Sequence, residues 1–220
     1  MNIFILELFN HPLNFKTMKK VSNITHVLLM SGLVFFFSCN NKQAEKTGLN
    51  ADITKTAFGG FGSQQKLGEH LVLIGGCHDC HTPKKMTPKG PDLDLTLALS
   101  GHPSQMPAPD VNRKDMEAKG YAVTQTLTAW VGPWGVSYAA NLTPDATGIG
   151  DWEESNFFTA LRKGKHKGVD TERNILPPMP WQMYQNMTDE EIKAIFAYLK
   201  SIKPIKNIVP QPLPPVTAQR

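Results

Sequence analysis

Apolar residues recur at helical spacing in three segments of the chain. The segments cover residues 64–76, 151–164 and 188–203. Their apolar stripes consist of Leu67, Leu71 and Ile74, of Phe157, Phe158 and Leu161, and of Ile192, Ile195, Phe196 and Leu199. Because each stripe covers one face of a helix, the pattern predicts three amphipathic helices that pack on a shared core.

Polar residues and glycines mark the expected ends of these helices. Asp151 with Glu154 predicts the N-terminal cap of the second helix. Thr188 with Glu191 has the sequence of a capping box, with acidic residues that complement the helix dipole. The glycine pair at 75–76 predicts the end of the first helix.

Two other stretches lack this periodicity. Residues 82–150 hold many prolines and glycines, which predicts a region that is mostly loop. A long loop region in a compact domain is usually functional or wrapped around something. The Pro-rich residues 204–220 predict an extended tail that either packs along the domain or serves as a spacer.

The N-terminus has the organisation of an export signal. Residues 18–38 contain Lys19 and Lys20, followed by an apolar run that ends at Phe37. The run is shorter than the roughly 20 residues that a membrane-spanning helix needs. We therefore expect a cleaved signal peptide that starts at Met18. Residues 1–17 are interpreted as an upstream extension without a function.

Cys39 follows this apolar run. The preceding residues and Cys39 read Phe-Phe-Ser-Cys, which resembles the lipobox of bacterial lipoproteins, and acyl chains on the cysteine would anchor the protein stably. Residues 39–63 are polar and predict a flexible tether. The expectation is an exported, membrane-anchored lipoprotein that faces the periplasm or the extracellular side. The alternative is an ordinary secreted protein with a lone thiol at Cys39.

The charge balance argues against a nucleic-acid partner. The formal net charge of +4 falls to +2 once residues 1–38 are removed, because that segment holds Lys16, Lys19, Lys20 and Glu7. Binding to phosphates needs a concentrated positive face. We therefore expect no nucleic-acid partner.

Residues 77–81 read Cys-His-Asp-Cys-His, the spacing that attaches a c-type haem. Cys77 and Cys80 can each add across a haem vinyl group to form a thioether, and His81 is then close enough to ligate the iron. Zinc sites and thiol-redox modules also use Cys-x-x-Cys, but the histidine favours haem and four zinc ligands are hard to assemble here. The single motif predicts one covalent haem c.

The sixth iron position separates an electron carrier from a haem enzyme or sensor. The candidate side chains are Met86, Met106, Met116, Met179, Met183, Met187, His102 and His166. Met179 is favoured because three neighbouring prolines stiffen its loop, and Trp181 beside it is placed to shield the haem face. An open position with His102 or His166 as a distal acid–base group would instead indicate an enzyme or a sensor.

Residues 64–204 resemble a class I type cytochrome c domain, and are similar in particular to the haem subunits of periplasmic dehydrogenases. The resemblance is carried by Gly68-Glu69-His70-Leu71, Cys77-His78-Asp79-Cys80-His81-Thr82, Asn141-Leu142-Thr143-Pro144-Asp145, Thr147-Gly148-Ile149-Gly150-Asp151-Trp152, Ala160-Leu161-Arg162-Lys163-Gly164, Pro178-Met179-Pro180-Trp181 and Ala194-Ile195-Phe196-Ala197-Tyr198-Leu199-Lys200-Ser201.

The resemblance implies an all-α cytochrome c fold over residues 64–203, with three to five helices around one covalently bound haem and long Pro/Gly-rich loops. It implies His81 and Met179 as the axial ligands and makes Arg162 a candidate partner for a haem propionate. Gly68 and Tyr198 would lie where the first and last helices cross. The implied function is electron transfer, with a dehydrogenase, a quinol oxidoreductase or an oxidase as redox partner.

Overall fold

The computed structural model describes residues 58–216. The expected signal peptide, Cys39 and most of the expected tether lie outside the described residues. The α-helices are α1 (Gln64–Ile74), α2 (Cys77–His81), α3 (Arg113–Lys119), α4 (Glu154–Lys163), α5 (Trp181–Tyr184) and α6 (Asp189–Ser201). The strands are β1 (Lys84–Thr87), β2 (Gly90–Leu93), β3 (Val123–Thr124), β4 (Ala129–Gly132) and β5 (Gly135–Tyr138). None of the helices in residues 58–216 has the length and hydrophobicity that are required to span a bilayer.

The predicted helices α1, α4 and α6 are confirmed, with one correction to a cap. Thr188 and Glu191 form the expected capping box before α6. The Thr188 hydroxyl accepts the Glu191 N–H at 3.2 Å, and the Glu191 carboxylate accepts the Thr188 N–H at 2.8 Å. At α4 the cap is Glu153 and not Asp151, because Oδ1 of Asn156 accepts the Glu153 backbone N–H at 2.9 Å. An amide side chain takes the place of the predicted Glu154 carboxylate.

The first and last helices cross in backbone contact at Gly68. A Cβ at this position would overlap the Ala194 carbonyl and lie 2.8 Å from the Cβ of Tyr198. The expectation that Gly68 and Tyr198 occupy the crossing is therefore confirmed. The core that surrounds it is formed by the buried residues Leu71, Val72, Leu99, Ile149, Phe157, Leu161, Ile192, Ala194, Ile195 and Leu199.

The region between α2 and α4 corrects the all-α expectation. It contains helix α3 and two antiparallel sheets, β1–β2 and β3–β4–β5, where a region of mostly loop was expected. Within residues 58–216 the fold thus has six α-helices and five strands, not three to five helices alone. The strands are too short to show an alternating pattern, and β4 is buried along its whole length, which removes the alternation that a half-exposed strand shows.

The Pro-rich tail packs along the domain, which is one of the two arrangements expected for it. Leu213 exchanges two backbone hydrogen bonds with Val136 of β5, at 2.8 and 3.1 Å. The Asn207 side-chain amide donates to the carbonyls of Ser100 and His102, at 2.7 and 2.8 Å. The tail therefore extends the β3–β4–β5 sheet by one short bridge and covers its edge.

The end of the described tail is held by a buried ion pair on α3. Arg113 and Glu117 are 3.0 Å apart, and the Glu117 side chain is almost completely buried. Arg113 donates to the Pro214 carbonyl at 2.6 Å, and Glu117 accepts the Val216 N–H at 2.7 Å. Both charged groups thus have hydrogen-bond partners, which a buried ion pair requires.

We predict that Gly68→Ala lowers the free energy of unfolding by about 3 kcal/mol, because the added methyl group must push α1 away from α6. Chemical denaturation of the purified holoprotein measures the effect. Gly62→Ala is the matched control, since a Cβ at Gly62 would meet no atom within 4 Å. Equal stabilities of the two variants would contradict the close crossing.

Candidate haem site

The short helix α2 presents the two cysteines and the histidine together. It begins after Gly76, whose positive φ of 68° suits glycine and turns the chain out of α1. Cys77 and Cys80 are both unpaired and half-buried. Burial raises the pKa of the Cys77 thiol to about 11 and also raises the pKa of Cys80. Both thiols are therefore uncharged before the haem is attached. The thioethers that attachment forms are uncharged as well.

His81 is buried and has a fixed tautomer. Its Nδ1 lies 2.8 Å from the Ala140 carbonyl oxygen, which can only accept, so Nδ1 carries the proton. Within the described residues, no side chain or backbone group is hydrogen-bonded to Nε2. Burial lowers the pKa of His81 and keeps the ring neutral. A neutral imidazole with an oriented Nδ1–H and an available Nε2 lone pair is the form that ligates a metal.

The Ala140 carbonyl is held in place by neighbouring backbone. Hydrogen bonds of 2.8 and 2.9 Å join residues 99–102 to residues 139–142, and the Gly101 N–H donates to the His81 carbonyl at 2.8 Å. Gly101 has a φ of 79°, and a Cβ there would lie 2.6 Å from the Ala140 oxygen. Glycine is therefore required for the chain to approach the Ala140 carbonyl this closely.

The turn after Ala140 explains the sequence motif Asn-Leu-Thr-Pro-Asp. Asn141 is buried, and its Oδ1 accepts the Thr143 N–H at 2.9 Å. Its Nδ2 donates to the Ile205 carbonyl at 2.8 Å and so fixes the start of the tail. The amide side chain thus stabilises the turn whose preceding carbonyl orients His81.

Thr82 and Lys84 hold the C-terminal end of α2. The buried Thr82 hydroxyl accepts the Leu99 N–H and shares a hydrogen bond with Nδ1 of His78, both at 2.9 Å. The Lys84 ammonium donates to the carbonyl of Thr82 at 2.8 Å and to that of Asp79. A cation at a helix C-terminus satisfies carbonyls that lack partners within the helix.

Met179 is half-buried against the same hydrophobic core that Cys77 borders. Its loop is anchored upstream by the Ile175 N–H, which donates to the Gly164 carbonyl at 2.7 Å. Downstream, the Trp181 N–H donates to the Met179 carbonyl at 3.0 Å. The loop and the haem motif thus border one core, and ligation of iron by Met179 stays a prediction.

Tyr184 connects the Met179 loop to the haem motif. Its hydroxyl donates to the Gly75 carbonyl at 2.6 Å, two residues before Cys77. Burial raises the pKa of Tyr184 to about 12, so the hydroxyl keeps its proton and remains a donor. The sequence interpretation missed Tyr184, because an aromatic residue in a short helix carries no local signal for a specific hydrogen bond.

Trp181 and Arg162 have defined protein contacts. The Trp181 indole lies against Gly164, where a Cβ would be 2.7 Å from Cζ2. The Arg162 guanidinium forms an ion pair with Asp189 at 2.7 Å and donates to the Gln185 carbonyl. These contacts join the C-terminal end of α4 to α5 and to the start of α6. The haem-shielding role of Trp181 and the propionate role of Arg162 stay predictions.

The two candidate distal histidines have other contacts. His102 is fully buried, its Nε2–H donates to the Met106 carbonyl at 2.8 Å, and its Nδ1 accepts from the Thr128 hydroxyl at 2.9 Å. Both ring nitrogens of His102 are thus occupied by protein groups. His166 lies 3.4 Å from the Glu172 carboxylate. Residues 58–216 hold no group of three or more His, Cys, Asp or Glu side chains that could bind a metal ion.

A family profile decides the assignment. The profile described as Cytochrome c matches residues 65–203, which include α1, the Cys-x-x-Cys-His motif, the Met179 loop and α6. The chain belongs to the cytochrome c family. The resemblance stated from the sequence is thereby confirmed, and so is the covalent haem c. The donor set of this cytochrome c fits that group, because Cys77, Cys80 and His81 share one helix and His81 keeps Nε2 available.

This cytochrome c is similar to subunits of several bacterial dehydrogenases. The gluconate 2-dehydrogenase cytochrome c subunit of Pantoea cypripedii is 38% identical over 134 residues, 60% of this chain and 22% of that protein. The fructose dehydrogenase cytochrome subunit of Gluconobacter japonicus is 35% identical over 91 residues, 40% of this chain and 16% of that protein. The cytochrome c subunit of the quinone alcohol dehydrogenase of Gluconacetobacter polyoxogenes is 37% identical over 82 residues, 36% of this chain and 17% of that protein. The matched region thus spans less than a quarter of each relative.

Family membership also assigns the role of the chain. Cytochrome c domains transfer electrons, and these three relatives are named as the cytochrome subunits of dehydrogenases. The matched domain is therefore assigned to electron transfer. The open-site alternative, a haem enzyme or sensor, depends on the sixth iron position and stays a prediction.

We predict that Tyr184→Phe lowers the free energy of unfolding by about 1 kcal/mol, because the Gly75 carbonyl loses its hydroxyl donor. Denaturant titration of the holoprotein measures this change. The control is Tyr121→Phe, which removes a hydroxyl from a side chain that is 57% exposed and should leave the stability unchanged. An unchanged stability of Tyr184→Phe would show that the link is not formed in solution.

Proposed function

We propose that this cytochrome c passes single electrons between a dehydrogenase or quinol oxidoreductase and a terminal acceptor such as an oxidase. The support is the similarity to the cytochrome subunits of gluconate, fructose and alcohol dehydrogenases. This sequence has one Cys-x-x-Cys-His motif, so its cytochrome c domain acts with one haem. The haem iron supplies the redox chemistry by gaining and losing one electron.

The observation that carries this proposal is the hydrogen bond from His81 to the Ala140 carbonyl at 2.8 Å. It orients the ring, fixes the tautomer and increases the electron density on Nε2, which are the effects that such a bond has on a ligating histidine. Because His81 is buried among hydrogen-bonded backbone segments, we expect it to move little when the charge of the site changes. A site that moves little between oxidation states suits an electron carrier.

Met179 completes the proposed donor set. It is a half-buried methionine that borders the same core as Cys77, and its loop is anchored upstream by the backbone hydrogen bond from Ile175 to Gly164. Met86 and Met183 are less suited, since they are 78% and 72% exposed. A thioether ligand raises the reduction potential and closes the sixth position.

The proposed location is the outer face of a membrane. The signal-like residues 18–38 and the lipobox-like Cys39 support export followed by acylation. The polar residues after Cys39 would let the haem domain reach a membrane-bound partner. The domain would then face the periplasm or the extracellular side.

We predict that Met179→Ala retains covalent haem but opens the sixth position. The midpoint potential should fall by on the order of 0.1 V or more, within the roughly 0.8 V that axial ligation spans. The purified variant should lose the methionine–iron(III) charge-transfer band and should bind cyanide rapidly. Both properties are measured by absorption. Met183→Ala is the control, because Met183 is 72% exposed. An unchanged spectrum of Met179→Ala would assign the sixth ligand to another residue.

We predict that Cys39→Ala releases the protein from membranes without loss of haem, because the acyl chains are attached to this thiol and the haem is attached elsewhere. Fractionation of expressing cells, followed by haem staining of membrane and soluble fractions, measures the distribution. Cys39→Ala protein that remains in the membrane fraction would argue against lipidation.

A further inference from the structure

The Met179 loop has few ways to form hydrogen bonds. Three residues of the segment 176–180 are prolines, at positions 177, 178 and 180, and proline has no backbone donor. In the described part of the chain, one hydrogen bond joins this segment to an element other than α5, the helix that directly follows it. It is accepted by the Pro177 carbonyl, two residues before Met179, and it comes from the Ser137 hydroxyl at 2.6 Å.

Ser137 is a donor whose position is fixed by the sheet. It is buried in β5, where it pairs with Trp130 of β4. The preceding residue, Val136, is bonded to Leu213 of the tail by two backbone hydrogen bonds. Strand β5 is thus held by β4 on one side and by the tail on the other, so the Ser137 hydroxyl has a defined position.

The direction of the hydrogen bonds is fixed by their partners. The Trp134 indole N–H can only donate, and it lies 3.0 Å from the Ser137 oxygen. The Pro177 carbonyl can only accept, so the serine proton must point to it. The chain therefore runs from the Trp134 N–H through the Ser137 hydroxyl to the Pro177 carbonyl. Each donor in such a chain polarises the next one.

We infer that Ser137 is a positioning residue for the sixth iron ligand, and that Trp134 supports it. The inference rests on the proposed role of Met179 and deepens it. Exchange of the methionine for another ligand requires the loop to move away, and this movement breaks the bond between Ser137 and Pro177. The β3–β4–β5 sheet thus keeps the sixth position closed. It restrains a loop whose prolines have no backbone N–H to donate to the rest of the fold.

The test is the rate at which cyanide binds to the oxidised holoprotein. Ser137→Ala should raise this rate about five- to tenfold, which is the effect of losing roughly one hydrogen bond from the closed state. Trp134→Phe keeps the serine donor and should raise the rate of cyanide binding about twofold. Ser137→Thr retains the hydroxyl and should restore a rate near that of the wild type.

A matched control separates loop positioning from general loss of stability. Thr87→Val removes a hydroxyl that donates to the Gly90 carbonyl at 2.7 Å in the β1–β2 hairpin. It should leave cyanide binding unchanged, even where it lowers the unfolding midpoint. The inference is overturned if Ser137→Ala and Trp134→Phe lower stability but leave the cyanide rate at the wild-type value.

The spectrum of the wild type shows whether the role of Ser137 alone is wrong or whether Met179 ligation is wrong as well. A wild-type protein without the methionine–iron(III) band overturns both Met179 ligation and the role of Ser137. A wild-type protein with the band, together with unchanged rates in the variants, overturns the role of Ser137 alone. If Ser137→Ala does not fold, the cyanide rate of Trp134→Phe decides, because this variant removes the indole donor that orients and polarises the Ser137 hydroxyl.

Discussion

The crossing of α1 and α6 is the constraint on which the rest of the structure depends. The two backbones touch at Gly68 and Ala194, with no room for a side chain between them. The haem motif follows α1 after two glycines, and the Met179 loop precedes α6. Segments that are about 100 residues apart in sequence therefore border one core. Tyr184 of α5, the helix after the Met179 loop, adds a hydrogen bond to Gly75, two residues before the haem motif.

The region between α2 and α4 supports the site from outside the helical core. It provides the Ala140 carbonyl that orients His81 and the Ser137 hydroxyl that bonds to the Met179 loop. Both groups belong to a segment with little helix, and both act through hydrogen bonds whose directions are fixed by their partners. This region thus provides hydrogen bonds to the haem motif and to the Met179 loop from outside the helical core.

Much of this arrangement was predictable, because its signals are local. The stripes of α1 and α6, the capping box at Thr188 and the motif at 77–81 depend on residues that are close in sequence. The short strands were not predictable, since β4 is buried throughout and therefore shows no alternation. The N-cap of α4 was predicted two residues too early, at Asp151. The side chain that accepts the N-cap backbone N–H is the Asn156 amide and not the expected Glu154 carboxylate.

The sequence by itself determined the cofactor, its attachment motif at residues 77–81 and the cytochrome c family, because covalent attachment requires particular side chains at a fixed spacing. Only the tertiary structure decided how those side chains are held. Ala140 acts through a backbone carbonyl that every residue type has, and nothing in its identity predicts this role. Ser137 and Pro177 are 40 positions apart, and their bond exists only because the chain folds the sheet against the loop.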